Sequence, residues 1–98
     1  MTDYNVHIPQ IIKEKIKQQA HIIALDKPNV ALDWYDMVFN KIFSLYTMPK
    51  RCPEAPENLF TLYTTRHLLI GDYRILFRII EARVLILDFK GGREKKPS

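Results

Sequence analysis

Ninety-eight residues suit one domain, long enough to bury about 60 to 70% of its unfolded surface without metal or disulfide support. A single cysteine, Cys52, excludes an internal disulfide and fits a reducing compartment. No apolar run approaches a membrane span, and Asp3, Asn5, His7 and Gln10 interrupt any signal-peptide core, so a cytoplasmic protein is expected. The net charge of +4 is unevenly placed: residues 1–63 hold seven basic and seven acidic groups, whereas residues 64–98 hold eight and four. An acidic partner or a polyanion would therefore meet the C-terminal third of the chain.

At the N-terminus, Tyr4 to Ile8 alternates and reads as a short strand. Ile8, Ile11, Ile12, Ile16, Ala20 and Ile23 then recur at helical spacing, with Pro9 acceptable in the first turn, which predicts an amphipathic helix ending near Asp26. Pro28 breaks the pattern and Asn29 is the expected cap of a second helix, whose stripe is Ala31, Trp34, Tyr35, Val38, Ile42, Leu45 and Tyr46. Leu32, Phe39 and Phe43 widen the stripe on one flank and Met37 lies on the other. Such residues usually belong to a core, yet they exceed what packing on a small sheet requires. Met48 to Glu57 carries three prolines and reads as an ordered loop or crossing segment.

The rest of the chain reads as an antiparallel meander. Gly71-Asp72 is a two-residue turn in which Gly71 supplies the positive φ that a primed hairpin needs, which pairs Ile70 with Tyr73. Arg66, Leu68, Ile70, Tyr73, Ile75, Phe77 and Ile79 then share a core face. His67, Leu69, Arg74, Leu76, Arg78 and Ile80 share the other. A three-residue turn, Glu81-Ala82-Arg83, would pair Ile80 with Val84, adding Leu85, Leu87 and Phe89 to the core face and Val84, Ile86, Asp88 and Lys90 to the mixed face. Arg74, Arg78, Lys90, His67 and Asp88 would cluster there, with a long His67–Asp88 contact across the central strand. Residues 91–98 read as a mobile basic tail.

Strand, two helices, loop and three strands make an α+β architecture, the meander packed on the helices, in a single domain spanning residues 1–98. This order, with Arg66-x-Leu68-x-x-Gly71-x-Tyr73-Arg74-x-Leu76-Phe77 followed by a hydrophobic strand and basic residues, resembles the RelE/ParE superfamily of toxins from type II toxin–antitoxin modules. The resemblance covers roughly residues 28–93, and the tryptophan-bearing second helix followed by Cys52-Pro53-Glu54-Ala55-Pro56-Glu57 looks closer to the ParE branch. It implies a cognate antitoxin partner, growth inhibition through DNA gyrase without chemistry, and a homodimer or toxin–antitoxin hetero-oligomer. The alternative within the superfamily is RelE-like cleavage of ribosome-bound mRNA. The RNA-cleaving branch often carries a tyrosine or histidine near its C-terminus, whereas this chain has no histidine after His67 and no tyrosine after Tyr73. An inactive homologue and a small nucleic-acid-binding domain are further alternatives.

RNA cleavage would need a base, an acid and cations against the phosphorane charge. The candidates are Arg66, His67, Arg74 and Glu57, and Arg74, Arg78, Lys90 and Arg93 are the candidate contacts to a target or nucleic acid. Trp34, Met37, Phe39 and Phe43 are the candidate antitoxin-binding residues, suited to an amphipathic helix in a hydrophobic groove. Zinc-spaced Cys/His sets, phosphate-binding glycine loops and serine nucleophile elbows are absent, so no metal and no cofactor are expected.

Overall fold

The computed structural model describes residues 3–60 and 63–91. Strand β1 (Asn5–His7) leads into helix α1 (Gln10–Asp26), and helix α2 (Pro28–Phe43) follows after one residue. Strands β2 (Arg66–Ile70), β3 (Tyr73–Ile80) and β4 (Arg83–Gly91) complete a sheet of order β1-β4-β3-β2, in which β1 runs parallel to β4. The α+β expectation, with a short first strand, a helical hairpin and a meander, is met.

The helices join more tightly than expected. Pro28, rather than a residue after an Asn29 cap, is the first residue of α2, and Lys27 is its N-cap. Proline suits this place because its fixed φ is already helical and its missing N–H has no partner there to lose. Ile12, Ile16 and Ala20 of α1 and Ala31, Val38 and Ile42 of α2 are buried as the spacing requires. Ile11, by contrast, is 68% exposed, because its neighbour Ile12 takes the inward position. Tyr46 also lies outside the stripe, in a 3-10 turn (Ser44–Tyr46) where the tighter winding changes the angular phase.

The Gly71-Asp72 hairpin has the expected register: Ile70 faces Tyr73, Leu68 faces Ile75 and Arg66 faces Phe77. Gly71 sits at φ +59. The next turn is shorter than expected, because Glu81 itself adopts φ +54 and a two-residue turn pairs Ile80 with Arg83. This shift by one residue turns Val84 and Ile86 into the core, both fully buried, and places Leu85 opposite Arg78 on the other face. A β-bulge then intervenes, since Phe77 pairs with Ile86 but Leu76 pairs with Asp88, leaving Leu87 as the extra residue. One added residue inverts the alternation again. Phe89 therefore returns to the core face opposite Ile75, and Lys90 stands opposite Arg74, as the simpler register had also placed them. Gly91 is paired with Tyr73 and ends β4, so it is not part of a tail.

The core lies between the helices and one face of the sheet, built from Ile12, Ile16, Val38, Ile42 and Leu45 against Ile70, Ile75, Phe77, Val84, Ile86 and Phe89. Trp34 closes its edge, standing edge-on to Tyr73 and Phe89 with ring centroids 5.3 and 6.1 Å away. The proline-rich segment is partly regular, with 3-10 turns at Pro49–Arg51 and Pro56–Phe60. It runs beside the start of β2, where Glu54 bridges to Arg66, the Ala55 N–H donates to the Thr65 carbonyl at 2.8 Å and the His67 N–H donates to that of Pro53 at 3.1 Å. The segment thus covers part of an edge that would otherwise present unpaired backbone groups.

Candidate functional site

On the sheet face away from the helices, adjacent strands present His67 (β2), Arg74 (β3) and Lys90 (β4). Arg74 and Lys90 are directly opposed across β3 and β4, while His67 lies two residues along β2 from Leu69, the partner of Arg74. Two cations placed opposite one another repel, and the sheet needs a counter-charge there. Glu57, on the 3-10 turn Pro56–Phe60, supplies it. Its two carboxylate oxygens accept hydrogen bonds from both terminal nitrogens of Arg74, at 3.0 and 2.5 Å, and Lys90 Nζ lies 3.7 Å from the same carboxylate.

The electrostatics follow from this fork. The Arg74 hydrogen bonds hold the Glu57 carboxyl at about 2, against a smaller opposing effect of partial burial. Arg74 is in turn held above its ordinary value, chiefly by its hydrogen bond to Glu57. Arg74 Nη1 also stands 3.1 Å from His67 Nδ1. Arginine only donates, so Nδ1 must be the acceptor and the ring proton must sit on Nε2. Burial lowers the His67 pKa, and the neighbouring Arg74 charge lowers it further against the pull of Glu57. The imidazole is therefore neutral, with its basic nitrogen already occupied.

The sequence candidates divide accordingly. Glu57, His67, Arg74 and Lys90 come together, whereas Asp88 is drawn away from His67: it accepts from Lys15 Nζ at 2.7 Å and from the Phe89 N–H at 2.8 Å. The expected His67–Asp88 contact is replaced by His67–Arg74. Arg66 belongs to the opposite face of β2, where its guanidinium donates to the Cys52 carbonyl at 2.7 Å and ties the proline-rich segment to the sheet. Burial pushes the Cys52 thiol up, against the pull of Arg51 and Arg66. Arg78 shares the face of Arg74 farther along β3, with its guanidinium 3.9 Å above the ring of Tyr63. The strand pattern puts no exposed aromatic on this face, and Tyr63 lies in a stretch without periodicity to orient it. Arg93 lies outside the described residues.

On α2, Met37 and Phe43 are exposed, at 36 and 48%. Trp34 and Phe39 are partly buried, Phe39 between the rings of Tyr35 and Phe43. A separate groove of about 420 Å³ lies between the helices, lined by the small residues Ala20, Ala24 and Ala31 and flanked by Lys17, His21, Leu32 and Tyr35. Among the described residues, no group of three or more His, Cys, Asp and Glu side chains could hold a metal ion, and no helix is long and apolar enough to cross a membrane.

The family model of the ParE toxin of type II toxin–antitoxin systems, parDE, matches residues 9–95, which takes in both helices and the meander. The chain belongs to the ParE toxin family. ParE toxins of such systems have a cognate antitoxin as partner. No curated protein matches the chain.

Proposed function

We propose that this ParE-family chain arrests growth in the cytoplasm by binding DNA gyrase, without performing chemistry itself, and that its antitoxin neutralises it by covering Trp34, Met37, Phe39 and Phe43 as well as part of the basic sheet face. The observation that carries this reading is the occupied state of the acid–base candidates. A carboxyl held near 2 by a two-pronged arginine contact is a weak base at neutral pH, because catalytic efficiency follows basicity near the working pH. His67 has its only basic nitrogen engaged by Arg74, and Arg74 is already neutralised by Glu57. An RNA-cleaving site would need these groups free to meet a ribose hydroxyl and a phosphate. A binding surface needs only their position and charge.

The test pairs two purified reactions. Added protein should inhibit DNA supercoiling by gyrase and leave ribosomal translation of a reporter message intact. In cells, its induction should raise the DNA-damage response. Ribosome-dependent cutting of the message, with gyrase unaffected, would overturn the reading in favour of the RelE-like alternative.

A further inference from the structure

The basic cluster is built unevenly. Its cations, Arg74 and Lys90, and His67, which accepts from Arg74, stand on three hydrogen-bonded strands whose register fixes their spacing. Their acceptor comes from outside the sheet, on a short 3-10 turn, and its side chain keeps 31% of its surface in water. Arg74 and Lys90 would be opposed like charges without it. The bidentate contact is the geometry by which a guanidinium selects a planar carboxylate. Receptor groups are thus rigid, the group they hold is peripheral and partly hydrated, and that group is a carboxylate.

We infer that His67, Arg74 and Lys90 form a recognition site for a carboxylate side chain of an acidic protein segment, and that Glu57 occupies this site as an internal stand-in which the partner displaces. The inference rests on the reading of this face as protein-binding rather than RNA-cleaving. In the closed state Glu57 neutralises Arg74 and shields Lys90. In the bound state the partner's carboxylate takes the same fork, and Glu57 turns out to solvent, where its charge is readily hydrated. Arg78, stacked on Tyr63 along the same face of β3, extends the positive surface for a further acidic residue of the segment. Internal competition of this kind lowers apparent affinity by the fraction of molecules in which the fork is open. Binding is therefore selective for segments with several carboxylates, since a single one gains little over Glu57.

The test is an NMR titration of the full chain at low salt with hexaglutamate, with hexaglutamine as the uncharged control and inorganic pyrophosphate as a separate arm. Glu57→Gln should bind hexaglutamate about tenfold more tightly than the unaltered protein, and Glu57→Gln combined with Arg74→Gln should lose that gain. Equal affinity with and without Glu57 would overturn the inference, as would a gain that survives loss of Arg74. A gain confined to pyrophosphate would overturn it in favour of a phosphate site. Should Glu57→Gln fail to fold, the unaltered protein still decides: saturating hexaglutamate must shift the ring signals of His67, and their constancy refutes displacement of Glu57. The gyrase assay is independent of these titrations, so the two readings fail separately.

Discussion

Arg74→Ala tests the electrostatic description most directly, because its effect on stability must depend on pH in a particular sense. In the folded protein Glu57 titrates at about 2 instead of 4.5, chiefly through its hydrogen bonds to Arg74. A carboxylate with a lowered folded pKa stabilises the fold above its unfolded pKa, and that contribution is lost as pH falls toward the folded one. The full displacement, at ~1.4 kcal/mol per unit, would be worth about 3 kcal/mol. With 31% of the Glu57 side chain and 23% of the Arg74 side chain in water, screening brings the expected loss to about 1 to 2 kcal/mol. Urea unfolding followed by circular dichroism from pH 7 to pH 2 should show Arg74→Ala less stable by this amount at pH 6 to 7. The difference should shrink steadily below pH 4.5 and fall to a small remainder by pH 2, where Glu57 of the unaltered protein is itself about half protonated. A difference that is constant across the range would mean that Arg74 acts through packing, and would refute the fork as the source of the shift.

The same substitution should raise the titration midpoint of His67, since it removes a neighbouring cation and leaves Glu57 nearby; an NMR pH titration that finds it unchanged or lower would contradict the Arg74–His67 contact. Phe77→Ala should destabilise the fold by about 3 to 5 kcal/mol through the cavity left in a fully buried site, whereas Arg78→Ala should alter stability by less than ~1 kcal/mol, as measured by chemical denaturation. Gly71→Ala meets no atom within 4 Å but must hold φ +59, so thermal unfolding should report a loss of about 1 to 2 kcal/mol from backbone strain alone. Phe43→Ser should leave the fold intact and weaken antitoxin binding about tenfold or more in a calorimetric titration, as loss of an interface aromatic does; an unchanged affinity would remove α2 from the antitoxin surface.

What the amino-acid order alone determined is local. The positions of α1 and α2 follow from apolar spacing and proline, and the β2–β3 register follows from Gly71-Asp72, because in each case the deciding contacts lie within a few residues of one another. That register was enough to put His67, Arg74 and Arg78 on one face and Arg66 on the other. His67, Arg74 and Lys90 were legible as candidates because polar residues in apolar strands stand out against the pattern, and Glu57 because it is a carboxylate in the proline-rich segment before them. Their pairing was not legible. Glu57 and Arg74 are seventeen residues apart, and only the course of the proline-rich segment along β2 brings the carboxylate over the sheet. Tertiary structure also decided the phase of β4, where a two-residue turn at Glu81 and a bulge at Leu87 shift the alternation twice. Turn length and bulge position answer to sheet twist and to packing against α1 and α2, and alternating polarity cannot report either when both faces of the strand carry apolar residues. The parallel pairing of β1 with β4 is likewise a long-range choice, made when the sheet edge beside α1 finds a strand to complete it.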